Sequence, residues 1–283
     1  MLKKLLTLAF LGLGTFVYAK VNTVVSILPQ QTFVKAIGGD KVNVSLMINP
    51  GNSPHTYEPK PSQMRDISQA DIYFFIGIEF EESWLPKFAN QNKKMKLANI
   101  GKGINKIKMK GEHRHGDHVH KDGSHDPHIW TTPQNAKIIG KNILKYLVRI
   151  DKKNKKYYEN NYNTFVKSLD DLDIQIKNIL KDTPKNTKFM VFHPSWGYFA
   201  RQYNLTQVAI EVEGKEPKPK DVVKLIEAAK KQNIKAILTA PEFSDKVARQ
   251  IANALHIKVV NISPLDPQWS KNLIYLAKII GDS

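Results

Sequence analysis

Apolar residues along this chain gather in short continuous runs, and longer stretches of helical spacing separate them. Residues 23–28 (TVVSIL) read as a buried strand, and residues 30–37 as a helix closed by the pair Gly38-Gly39. Residues 42–48 alternate like a second strand. Pro61 suits the first turn of a helix running to residue 69. Residues 71–76 read as a third strand, continuous and apolar after Asp71, as central parallel strands are. From residue 133 to about 180 the pattern turns helical, with a break at Ile150-Asp151. Within that stretch Tyr158, Tyr162, Phe165, Leu169, Leu172, Ile176 and Ile179 recur mostly three or four apart, one apolar stripe on a long helix. A second series follows, with strands at 189–192, 207–212, 234–238 and 257–262. Its helices fall at 195–203, 221–232, 244–255 and from Trp269 onward. Strands alternating with helices predict parallel sheets. The expected fold is therefore α/β, two lobes with parallel-type sheets (residues 20–150 and 183–283) joined by one long helix (151–182). A link of that kind predicts limited hinge motion.

The first nineteen residues obey a different rule. Lys3 and Lys4 precede a run from Leu5 to Val17 that is almost free of polar groups, and Val17-Tyr18-Ala19 offers small residues where a signal peptidase reads them. The run is short for a hydrocarbon core of about 30 Å, so a cleaved export signal (1–19) and a periplasmic protein are predicted. Cysteine is absent. That excludes disulfides, thiolate metal sites and a lipid-modified cysteine after the signal, and leaves nitrogen and oxygen as metal donors. The formal charge of +17 raises the question of nucleic acid. Its lysines are dispersed among polar helical neighbours, as in Lys152-Lys153-Asn154-Lys155-Lys156, arginine is sparse, and no nucleic-acid module is present. The charge reads as solvated surface, with weak attraction to anionic membrane as a lesser role.

The nine histidines are unevenly placed, and six lie within residues 113–128. His113, His115, His118, His120 and His125 stand among Gly, Asp and Lys with no hydrophobic period, which predicts an exposed loop (111–128) rather than a packed element. Imidazole is the commonest biological metal ligand, and a His-rich tract of this composition reads as metal-binding rather than merely solvated. Its internal position and interleaved acids argue against an expression tag. His55 lies in a turn-rich segment just after the second strand, and His193 follows the strand at 189–192. Both stand at carboxyl ends of strands, where open α/β sheets place their ligands. His128 closes the His-rich loop, whereas His256 has no partner motif and reads as structural or surface.

Three stretches around these histidines resemble known motifs. Pro54-His55-Thr56-Tyr57-Glu58-Pro59 with Pro61-Ser62, Asp126-Pro127-His128-Ile129-Trp130, and Phe192-His193-Pro194-Ser195-Trp196-Gly197-Tyr198-Phe199 are similar to the ligand motifs of the cluster A-I metal-binding proteins of ABC importers, zinc-uptake branch. Ala240-Pro241-Glu242-Phe243-Ser244 matches the segment that follows, and the order holds along the whole chain after the signal. The resemblance implies two α/β lobes with the metal between them, held by His55, His128 and His193. Three imidazoles suit tetrahedral zinc, Zn2+, at about 2.0–2.1 Å. The family's fourth position is often an aspartate in Leu-Asp-Pro-Leu, but this chain reads Ile262-Ser263-Pro264-Leu265, which leaves Asp266 or a water to complete the site. Loss of a hard oxygen ligand moves the site from manganese toward zinc. The resemblance further implies weaker accessory sites in the His-rich loop, a monomer, and delivery to a membrane permease with its cytoplasmic ATPase. It implies neither catalysis nor nucleic acid. The alternatives are a manganese or iron receptor of the same family, a periplasmic zinc buffer or adhesin, and a zinc hydrolase. Three histidines with an open fourth position also describe catalytic zinc, but the nearest acids, Glu58 and Asp126, sit beside motif prolines and read as supports rather than bases.

Overall fold

The computed structural model describes residues 19–109, 113–115, 118–120, 125–211 and 215–282. Residues 1–18, which carry nearly all of the expected export signal, lie outside it. In the first lobe β1 (Val21–Val25) leads into α1 (Leu28–Gly38), β2 (Val42–Leu46), α2 (Pro61–Gln69), β3 (Ile72–Phe75), α3 (Glu79–Gln91) and β4 (Lys96–Asn99). All four strands are parallel, in the order β2-β1-β3-β4, with Val21 opposite Val42 and Thr23 opposite Ile72. A short pair, β5 (His113–His115) and β6 (His118–His120), precedes α4 (Pro133–Ile150). Two long helices, α4 and α5 (Lys155–Ile179), then lead to the second lobe. There β7 (Lys188–Val191), α6 (Gly197–Gln202), β8 (Thr206–Ala209), α7 (Pro219–Lys231), β9 (Ala236–Thr239), α8 (Lys246–Leu255), β10 (Lys258–Asn261) and α9 (Trp269–Gly281) build a second parallel sheet, ordered β10-β9-β7-β8. The fold is two α/β lobes joined by a long helix, as the alternation of patterns predicts.

The linking helix is shorter than the predicted 151–182. A 3-10 turn at Lys152–Asn154 precedes it, because Asp151 accepts hydrogen bonds from Asn154 Nδ2 and from Tyr158 Oη at 2.6 and 2.7 Å and so fixes the corner. The apolar stripe of α5 buries Tyr158, Phe165, Leu169, Leu172 and Ile176. Phe165 meets Phe33 of α1 at 5.7 Å, and Phe33 meets Trp269 of α9 edge-on at 5.0 Å. One continuous apolar core thus runs from the first sheet through α5 into α9, while a smaller cluster around Met190, Ile237 and Ile251 sits within the second lobe. Two indoles add polar bolts: Trp130 donates to the Pro264 carbonyl at 2.8 Å and Trp269 donates to the Trp130 carbonyl at 2.9 Å.

Two further features depart from the sequence expectation. Helix α3 and strand β4 are not foreseen by hydrophobic period, since Pro86 lies inside α3 and β4 is a short edge strand with mostly exposed residues. The acids Glu79, Glu81 and Glu82 in the first turn are the signal for α3, because carboxylates suit a helix N-terminus. The His-rich tract is also more than a loop: His113 pairs with His120 and His115 with His118, antiparallel. The two residues between them in sequence are Gly116-Asp117, a combination that favours tight hairpins. Among the described residues, no helix is long and apolar enough to cross a membrane.

Candidate metal centre

Each of the three motif histidines reaches its position from the end of a strand or the start of a helix, and each is held by a carboxylate. His55 sits in the turns after β2, with Nδ1 2.6 Å from Oε2 of Glu79, the first residue of α3. His128 lies just ahead of α4, with Nδ1 2.8 Å from Asp126 Oδ1, and the same oxygen accepts the His128 backbone N–H at 2.9 Å. His193 follows β7, with Nδ1 2.8 Å from Oε2 of Glu211, which follows β8. An ionised carboxylate only accepts hydrogen bonds, so each Nδ1 carries the proton and Nε2 is the nitrogen that keeps its lone pair.

The supports are themselves fixed. Tyr198 Oη donates to the Asp126 carbonyl at 2.8 Å, and a Cβ on Gly197 would lie only 2.6 Å from Asp126 Oδ2. Glycine in the third motif therefore makes room for the carboxylate of the second. The Phe243 ring stacks on His193 at 4.4 Å and 20°. Glu81, fully buried two residues after Glu79, accepts the backbone N–H groups of Ile76, Gly77 and Ile78 and a hydrogen bond from Ser26, which locks the β3–α3 turn that presents Glu79.

The rings converge. His128 and His193 approach Nε2 to Nε2 at 3.3 Å, and their centroids are 5.1 Å apart. His55 faces His193 edge-on at 5.4 Å. Two nitrogens on a tetrahedral zinc at about 2.0–2.1 Å stand about 3.3–3.4 Å apart, so the first pair is already at ligand spacing. Among the described residues no three His, Asp or Glu side chains are drawn fully into a metal cage; two imidazoles are in place and the third faces them. The space between is a cavity of about 20 Å³, walled by Trp130, Phe243, Leu265 and the three rings, with Glu242 also on its lining. That is room for roughly one water-sized body. Burial holds His193 below the usual imidazole range, outweighing the opposite pull of Glu211, while His128 and His55 add to the lowering. A neutral, desolvated imidazole is a ligand in waiting.

The remaining candidates fall elsewhere. Asp266 lies past the cavity wall, where its Oδ1 accepts the Gln268 N–H at 2.6 Å just ahead of α9. His256 is exposed and closes α8 in the left-handed region at φ 56°. His125 is exposed and bridges Lys108 in antiparallel fashion, and Asp126 N–H donates to the Ile107 carbonyl at 2.9 Å, so the His-rich tract is pinned at its base immediately before His128. Residues 110–112, 116–117 and 121–124 of that tract lie outside the described ones. Sequence reasoning did not find Glu79 or Glu211 as supports. Both stand just past a strand end, the position that singled out His55 and His193, but nothing in their spacing tells which imidazole each will meet.

Known proteins resemble this chain over most of its length. A family model described as the periplasmic zinc-uptake complex component A matches residues 23–279. The high-affinity zinc uptake system protein ZnuA of Bacillus subtilis is 33% identical over 255 residues, spanning 87% of this chain and 79% of that protein. A crystal structure of ZnuA superimposes with a TM-score of 0.86 at 39% identity, over 93% of this chain and 99% of that one. A ZnuA deletion mutant with zinc bound gives a TM-score of 0.84 at 40% identity, over 93% and 97%.

Proposed function

The chain belongs to the family of periplasmic zinc-uptake component A proteins, and we propose that it captures zinc outside the cytoplasmic membrane and hands it to the permease of an ABC importer powered by a cytoplasmic ATPase. Zinc is here the cargo. The observation that carries the reading is the approach of His128 and His193, Nε2 to Nε2, at 3.3 Å. With both Nδ1 protons committed to Asp126 and Glu211, two lone pairs point at one another, an arrangement that a cation between them turns from repulsive to binding. His55 is the third donor. The first lobe (20–150) thus supplies His55 and His128, and the second (183–283) supplies His193.

Three neutral imidazoles favour zinc over manganese, which prefers oxygen. A cavity of about 20 Å³ takes an ion and leaves no room for an organic substrate, which favours carriage over hydrolysis. All three rings come from one chain, so a monomer suffices. The basic and apolar start of the chain, Lys3 to Val17, supports export to the periplasm by a cleaved signal. His113, His115, His118, His120 and His125, on a hairpin pinned beside His128, form a looser collecting surface that raises the local zinc concentration.

Zinc titration calorimetry on the purified protein tests the reading. His193→Ala is expected to abolish the tight equivalent, while His256→Ala binds as the unchanged protein does. Tight binding that survives His193→Ala, or a preference for manganese in direct competition, overturns it.

A further inference from the structure

The cavity lining includes one carboxylate residue that the three histidines leave unused. Glu242 lines the same space as His55, His128 and His193, and its Oε2 is buried with no hydrogen-bond partner among the described residues. We infer that Glu242 is the fourth zinc ligand, binding through Oε2. The inference rests on the three-histidine site proposed above and deepens it.

The other carboxylate oxygen explains how the residue is aimed. Oε1 accepts the hydroxyl of Ser263 at 2.6 Å, and the same hydroxyl oxygen accepts the Leu265 N–H at 3.0 Å. Ser263 stands where the resemblance places an aspartate, so a side chain that supplies no charge has become the clamp for one that does. The exchange is possible because β9 and β10 are adjacent and parallel, with Thr239 opposite Asn261. Glu242 lies three residues beyond the first of these and Ser263 two beyond the second, so both loops leave the sheet side by side. A carboxylate can therefore reach the ion from the β9 end instead of the β10 end, and an aspartate at 263 would only crowd a second negative charge against it. A buried carboxylate oxygen without a partner is costly, and a divalent cation in the cavity supplies the partner. One carboxylate beside three imidazoles leaves the site with net charge +1 instead of +2 and keeps it four-coordinate, as zinc prefers.

Glu242→Gln keeps the shape and the Ser263 bond but removes the charge. The expected result is a loss of zinc affinity of about a hundredfold, larger than the roughly tenfold typical of weaker supporting contacts, together with a zinc-free melting temperature that is unchanged or raised. A merely structural Glu242 would instead show a lowered zinc-free melting temperature, and that result overturns the inference. A structure of the zinc-loaded protein should place Glu242 Oε2 about 2.0–2.2 Å from the metal; a water there, with Oε2 turned away, overturns it as well. His193→Ala measured alongside separates the two levels. If it abolishes tight binding while Glu242→Gln does not, only the fourth ligand fails; if neither variant matters, the site itself is wrong.

Discussion

Glu211 accepts the Nδ1 proton of His193 at 2.8 Å from the end of the neighbouring parallel strand. The carboxylate settles the tautomer, turns the ring toward His128, and makes Nε2 more basic than burial alone would leave it. Glu211→Gln retains the size of the side chain but weakens the hold, so zinc affinity should fall about ten- to a hundredfold. Glu216, exposed on the following segment, serves as control, and Glu216→Gln should leave affinity unchanged. Equal affinity for the two variants in competition with a zinc chelator would show that Glu211 has no part in tuning the ligand.

Glu81 gives the zinc-free protein a pH signature. Burial raises its pKa above 4.5 despite the bonds from Ser26 and three backbone N–H groups. The native state therefore keeps a proton at pH values where the unfolded chain has released it. Native protein then binds more protons than unfolded protein, so stability declines as pH rises from about 4.5 through the raised value and levels off above it. Glu81→Gln, which cannot ionise, should lack that decline in denaturant melts taken stepwise in pH. Parallel slopes for the two proteins would contradict the assignment. Glu81→Ala should also cost about 1–3 kcal/mol, because it leaves the N–H groups of Ile76, Gly77 and Ile78 without their acceptor.

Deletion of residues 113–125 separates collection from tight binding. Gripping an ion with imidazoles of this tract costs ordering entropy, so each such site should be weaker than the interlobe one proposed above. The bond from Asp126 N–H to the Ile107 carbonyl lies outside the deletion and still positions His128. Calorimetry should show the weak equivalents lost and the tight one kept, with uptake impaired chiefly when zinc is scarce. Loss of the tight equivalent would make the hairpin part of the primary site.

Local chemistry made much of this structure legible in the chain. Pro61 begins α2, and the break at Ile150-Asp151 separates α4 from α5. The runs that became β1, β3 and β7 are apolar because sheets with helices on both faces bury them from both sides. The strand-end rule brought out His55 and His193 because it depends on topology, which alternating patterns reveal. What stayed hidden depends on contacts between distant segments. Glu79 meets His55 across 24 residues, and Glu211 meets His193 across a strand pair. The hydroxyl that holds Glu242 comes from Ser263, 21 residues away. Asp266 carried the more familiar chemistry, but the turn before α9 spends its carboxylate on Gln268.

The indole bonds from Trp130 to Pro264 and from Trp269 to Trp130 have a bearing on traffic at the membrane. Together with Phe33 against Trp269, they tie the lobes beside the cavity that His55 also lines. Ties of this kind predict that loaded and empty molecules share nearly one silhouette. For the receptor role proposed above, a permease would then have little outline by which to refuse the empty copies. In that role they would compete for its docking face, and import would depend on the proportion of receptors that carry an ion as well as on their number.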